Sequence, residues 1–207
     1  MPRLRYTPNS PFARKVRVVA HELGLAPALE LVPTALRTAD REFWSDNPLG
    51  KVPVWITDDD MRLHDSKVIC EYLNEEHAGG RLLPQRGHAR WRDLGLIALA
   101  DGMAEAGMLA RRERHRGSER DDVFVAQEMA KVSRGLDQLA ADAAQGVLAD
   151  ETAGFGLAAA AVASSLGWIE LRFGREFITQ GRAPLALWLE KVGCRESLLA
   201  TQPLPEA

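Results

Sequence analysis

Tyr6-Thr7-Pro8-Asn9-Ser10-Pro11-Phe12-Ala13-Arg14-Lys15-Val16 is the stretch that decides the fold. Arg3 to Tyr6 reads as a strand, and Pro8-Asn9 as the turn that ends it. Ser10 stands where a helix N-cap belongs. Pro11 follows at the first helical position, where its missing N–H costs nothing and its fixed φ suits the helix. Apolar residues recur at Phe12, Val16, Val19, Ala20 and Leu23, one face of a period of about 3.6 residues, and Gly24 supplies the stop. A hydroxyl therefore stands at the positive end of a helix dipole, beside the end of a strand, which is a good place to hold an anion. The plain alternative is that Ser10 only caps its helix. Arg14 and Lys15 occupy turns where the dipole favours acids; there their charges add to the positive potential around Ser10 and would help to stabilise a thiolate.

Downstream, Leu29-Glu30-Leu31-Val32 reads as a short strand, and Thr38 to Asp46 as an irregular stretch or short helix. Asn47-Pro48-Leu49-Gly50-Lys51 is turn chemistry leading into the strand Val52-Pro53-Val54-Trp55-Ile56-Thr57. Asp58-Asp59-Asp60 turns that strand into Met61-Arg62-Leu63-His64, and Asp65-Ser66 opens a helix ending near His77-Ala78-Gly79-Gly80. The remainder reads as helices over 88–114, 120–144, 154–173, 183–192 and 196–200. The expected architecture is α/β plus all-α. A mixed four-stranded sheet with helices spans 1–78, a linker 79–86, and an all-helical part 87–207.

Composition sets the outer limits. The 207 residues suffice for one large domain or two small ones, and a formal charge of −3 advertises no surface for nucleic acid. Met1-Pro2-Arg3 leads straight into a strand without an apolar leader. The most apolar stretch, 155–171, is interrupted by Ser164, Ser165, Gly167 and Glu170, and reads as a central buried helix rather than a membrane span. Cys70 and Cys194 are the only cysteines and lack metal-like spacing, so neither a disulfide framework nor a metal centre is expected. That usage fits a reducing cytoplasm.

Ser-Pro-Phe-Ala-Arg-Lys-Val, Asn-Pro-Leu-Gly-Lys-Val-Pro-Val and Asp-Ser-Lys-Val-Ile-Cys-Glu-Tyr-Leu occur in that order. Together they resemble the thioredoxin-like domain of bacterial cytosolic glutathione S-transferases, most nearly the small bacterial proteins with Ser-Pro-Phe after the first strand. The helical remainder, with Ala-Leu-Ala-Asp-Gly at 98–102, is similar too.

The resemblance implies a cytoplasmic, homodimeric detoxification enzyme that takes glutathione as substrate, needs no metal, and attacks an electrophilic small molecule of unknown identity. Ser10, with Phe12 beside it, would donate a hydrogen bond to the glutathione sulfur; Tyr6 is the competing donor. Lys51 would meet the glycyl carboxylate, unless it is only a solvated loop lysine. Val52, before an expected cis Pro53, would pair strand-like with the cysteinyl unit. Asp65 and Ser66 would take the glutamyl ammonium and carboxylate. Asp101 would reach the partner subunit's glutamyl site, or else make a structural hydrogen bond within its own chain.

The long helix carries Trp91, Leu94, Ala98, Asp101, Glu105 and Met108 on one stripe, with Gly95, Gly102 and Gly107 permitting close approach across a two-fold axis. The basic end, Arg111, Arg112, Arg114, His115 and Arg116, is either a solvated terminus or a site for an anionic co-substrate. Met103 and Met108 either line a pocket or fill the core. The central helix lacks the Ser/Thr-x-x-Asp box of many relatives, leaving its anchoring unexplained. Two other readings stay open. One is a glutathione-binding interaction or stress protein without catalysis; the other is a different glutathione-dependent enzyme, such as an isomerase or dehalogenase.

Overall fold

The computed structural model describes residues 1–36, 41–149 and 154–205. Its elements are β1 (Arg3–Tyr6), α1 (Pro11–Glu22), β2 (Glu30–Pro33), α2 (Arg41–Asp46), β3 (Val54–Ile56), β4 (Arg62–Leu63) and α3 (Ser66–Ala78). The helices α4 (Gly87–Arg114), α5 (Asp122–Ala144), α6 (Leu157–Phe173), α7 (Arg175–Thr179), α8 (Ala183–Gly193) and α9 (Glu196–Leu199) complete the chain. This is the expected α/β plus all-α order. Residues 38–40 of the expected short helix lie outside the described residues, and α7 is too short for any period to announce.

The strands form one sheet in the order β2-β1-β3-β4. β1 runs parallel to β2 and antiparallel to β3, and β3 is antiparallel to β4. Side chains alternate across a strand, so Leu4 and its partner Trp55 face one way, into a core with Val16 and Val19 of α1 and Ile69 and Leu73 of α3. Val54 and Ile56 face the other way, onto Phe43 of α2. The sheet is thus sandwiched between α1 and α3 on one face and α2 on the other. The core of Leu4 and Trp55 runs on without a break into the helical part, where nearly all of α6 is buried.

Close packing at two glycines explains what spacing alone could not. An N-terminal box would normally anchor α6; here the carbonyl of Leu82 accepts a hydrogen bond from Leu157 N–H at 2.7 Å. A Cβ on Gly156 would sit 2.7 Å from that oxygen, so the glycine makes room for the backbone that does the capping. Gly107 corrects the sequence reading. Its missing side chain faces Trp168, 2.8 Å from a hypothetical Cβ, so it serves α4–α6 packing within one chain rather than a two-fold contact. Gly95 and Gly102 face open space.

Glu22 at the end of α1 latches onto α9. Arg195 donates to its two oxygens at 3.1 and 2.8 Å, and Ser197 donates as well. Burial pushes the Glu22 carboxyl up, but the hydrogen bonds from Arg195 and Ser197 and the charges of Arg195 and Arg81 outweigh it, and the net shift is downward. A depressed carboxyl contributes stability above its unfolded value and loses it as pH falls through the folded one. Glu22→Gln should therefore lower stability by about 1–2 kcal/mol at neutral pH, allowing for partial solvent screening. In thermal melts at descending pH, the gap to wild type should close below about 4.5, the ordinary value of the group.

Candidate functional site

Antiparallel pairing carries three distant stretches to one end of the sheet. Arg5 pairs with Val54 and Trp55 with Leu63, so the end of β1, the start of β3 and the end of β4 meet. Ser10, Val52-Pro53 and Asp65-Ser66 are the residues at those three ends.

Ser10 takes an extended backbone at φ −77°, and its hydroxyl accepts from Ala13 N–H at 3.2 Å. It is therefore the N-cap of α1. A hydroxyl has two lone pairs and one proton, so the cap leaves its O–H able to donate outward. Phe12 is half-buried beside it. Tyr6 packs against the main core, and Arg17 covers its ring at 5.2 Å from the centroid.

Arg14 and Lys15 do not act as free charges around Ser10. Both are buried, Arg14 at 7% exposure and Lys15 at 1%. Arg14 donates to Leu198 O at 3.2 Å, while Asp101 of α4 holds Lys15 Nζ with both oxygens, at 2.8 and 2.7 Å. The long stems insert between α1 and the helical part, where carbonyls and a carboxylate await them. The helix terminus itself supplies positive potential at Ser10.

Val52-Pro53 is cis. Val52 N–H and C=O make no hydrogen bond among the described residues, which leaves both available to an extended peptide. Lys51 is exposed. The loop carrying these residues is fastened by Asn47, which is 2% exposed. Its amide donates to Lys51 O at 2.8 Å and accepts from Leu49 N–H at 3.0 Å, while Gly50 N–H reaches its carbonyl at 2.9 Å. Asn47 thus sets the pose of Lys51 and Val52. An Asn that starts a Pro-Leu-Gly turn is the signal that foretells this. Asn47→Ala should leave Lys51 O and Leu49 N–H unpaired, while the backbone bond from Gly50 N–H survives, and should lower stability by about 1–3 kcal/mol in chemical denaturation.

Asp65 caps α3 by accepting from Lys67 N–H at 2.9 Å. Ser66 follows as the first helical residue, 2% exposed. Cys70, one turn further on, is fully buried, and burial pushes its thiol up to about 12. It stays protonated at neutral pH and offers no redox nucleophile.

The expected α4 stripe divides. Leu94, Asp101 and Met108 are half-buried, and Trp91, Ala98 and Glu105 are exposed. Met103 packs into the core against Gly135. At the basic end Arg114 lies over Phe173, and Arg116 pairs with Glu113 and Glu119.

A mixed sheet whose cis-proline turn and two capped helix starts share one end, followed by an all-α unit, defines a thioredoxin-like protein with a helical extension. The family model described as the N-terminal domain of glutathione S-transferase matches residues 9–76. The uncharacterized GST-like protein YibF of Escherichia coli K12 is 30% identical over 196 residues, 94% of this chain and 95% of that protein. A glutathione transferase family member from Pseudomonas fluorescens, solved with bound glutathione, is 35% identical at a TM-score of 0.90, covering 99% of this chain and all of that one. A structure of that Pseudomonas fluorescens family member with bound S-(propanoic acid)-glutathione has a TM-score of 0.86 at 33% identity, each chain fully covered. The chain belongs to the glutathione S-transferase family.

Proposed function

We propose that this protein is a glutathione transferase that holds the tripeptide across the shared end of the sheet and keeps its sulfur ionised for attack on an electrophilic carbon. The carrying observation is Ser10, a helix cap with a proton to spare at the strand end that also bears Val52 and Ser66. An unperturbed thiol near pKa 8.5 is only a few per cent ionised at neutral pH. Lowering it by about 1.5–2 units takes roughly 2–3 kcal/mol. A hydroxyl bond to a charged acceptor supplies about 1.5–3 kcal/mol, and the helix terminus up to about 2 more. Hydroxyl and helix suffice together. Lys51 meets the glycyl carboxylate, and Asp65 and Ser66 the glutamyl end. The glutathione thioether bound by a relative supports thioether formation as the reaction class.

The protein acts as a homodimer in the cytoplasm. On α4 the exposed positions Trp91, Gly95, Ala98, Gly102, Glu105 and Leu109 alternate in steps of four and three, a seam of about 3.5-residue period that suits a second helix. Asp101 lies beside that seam, oriented by Lys15, and meets the ammonium of the tripeptide bound to the other subunit. Among the described residues no helix is long and apolar enough to cross a membrane.

The deciding measurement is the ultraviolet thiolate absorbance of bound glutathione across pH, followed by a panel of electrophiles on the same sample. Bound glutathione with an unshifted thiol and no turnover would make this a binding protein instead. Sedimentation velocity of wild type and Gly102→Arg tests the seam.

A further inference from the structure

A second cavity, independent of the tripeptide site, opens on the side of α6 that faces α8 and the C-terminal segment. Its volume is about 360 Å³, and none of Ser10, Val52, Asp65 or Ser66 lines it. Its walls are half apolar, from Leu171, Leu189, Val192 and Leu198, and half polar, from Arg14, Glu170 and Arg175.

Arg14 is the unusual group. A guanidinium 93% removed from solvent ordinarily has a carboxylate against it, yet no acid lies within salt-bridge distance of this one among the described residues. Nε donates to Thr201 Oγ1 at 3.5 Å and Nη2 to Leu198 O at 3.2 Å, both neutral acceptors. Nη1 has no protein acceptor among the described residues. It lies over Gly167, another wall residue, where a Cβ would come within 1.9 Å of it. Burial, with a smaller contribution from Arg17 and against the opposing charge of Glu170, lowers the Arg14 pKa to about 10, so the group remains charged at neutral pH. Glu170, the acid facing the cavity, is held by Arg175 at 3.1 Å. Two cations and one carboxylate leave a single positive charge to be met, at the inner end of a partly apolar chamber.

We propose that this cavity is a binding site for a small organic monocarboxylate, its carboxylate on Arg14 Nη1 and its aliphatic body against Leu171, Val192 and Leu198. A dianion such as phosphate fits poorly, because Glu170 would repel the second charge and the apolar walls would go unused. A neutral alcohol would fill the space and leave Arg14 as it is. Gly167 is the specificity device, since only a residue without a side chain lets the guanidinium lie there.

The test uses the full chain saturated with glutathione and titrated with hexanoate or hexanol, read by ligand-observed NMR. Hexanoate is expected to bind about tenfold or more tightly than hexanol, the worth of one charge-assisted hydrogen bond, and to show intermolecular NOEs to the methyls of Leu171, Val192 and Leu198. Gly167→Ala, which displaces Nη1, should abolish hexanoate binding and leave glutathione affinity unchanged. The NOEs are read on wild type, so the proposal stands or falls even if the variant does not fold. Equal affinity for the acid and the alcohol, NOEs to other residues, or displacement of hexanoate by glutathione would each overturn it.

Discussion

Ser10→Ala is expected to raise the thiol pKa of bound glutathione by about 1–2 units and to cut turnover at neutral pH about 10–100-fold, the loss of one hydroxyl bond to a charged sulfur. The same substitution removes the α1 cap, because Ser10 Oγ also accepts from Ala13 N–H. It should therefore lower stability by about 1 kcal/mol. Ser10→Asp separates the two roles. Aspartate caps a helix as well as serine does, so the melting temperature should stay near wild type. Its carboxylate faces the sulfur with like charge and no proton, so turnover should fall at least as far as in the alanine variant. Thiolate absorbance, initial rates and melting curves on the three proteins together decide the assignment. An alanine variant that melts early but keeps its thiolate would leave Ser10 as a cap alone. Tyr6→Phe would then be the next variant to assay.

Local chemistry made most elements readable, and long-range contact accounts for what was not. Ser10-Pro11 and Asp65-Ser66 mark helix starts because the groups they satisfy lie within three residues. Gly79 marks the end of α3 because φ is +55° there. Val54 and Ile56 alternate with Trp55 because the sheet is covered on both faces. None of that logic reveals that Leu82 caps α6 or that Gly107 lies under Trp168, since those partners are set by how helices cross. Lys15 is the instructive misreading. It sits three residues after Phe12 and four before Val19, inside the apolar stripe of α1, so the period already placed it inward. Charge alone suggested that it adds to the positive potential around Ser10. Arg14 likewise precedes the fully buried Val18 by four. At the site, the capped helix starts and the proline turn were legible; the fastening of that turn by Asn47 had only the Asn before Pro-Leu-Gly as its signal, and its partners Lys51 O and Leu49 N–H are fixed only once the loop folds.

Asp101→Asn should be the most destabilising single change, by about 3–5 kcal/mol, because it strips the counter-charge from a buried ammonium. Lys15 is 1% exposed and has no second acid in its salt-bridge contacts among the described residues. Lys15→Met should cost less, since the Asp101 side chain is 17% exposed and can regain some water. Replacing both, as Lys15→Met with Asp101→Leu, leaves no unpaired charge and should recover most of the loss, as buried ion pairs exchanged for apolar groups commonly do. Chemical denaturation of wild type, Lys15→Met, Asp101→Leu and the double variant closes the cycle and gives the coupling energy directly. The double variant also isolates what Asp101 does beyond holding α1. If its carboxylate serves only to fix α1 against α4, glutathione affinity should return along with stability. If it also meets the ammonium of the tripeptide across the dimer, the apparent KM for glutathione should stay raised in a protein as stable as wild type. A charge-assisted contact predicts about a tenfold rise. Stability and affinity would then have been separated at one residue whose pairing with Lys15 had joined them.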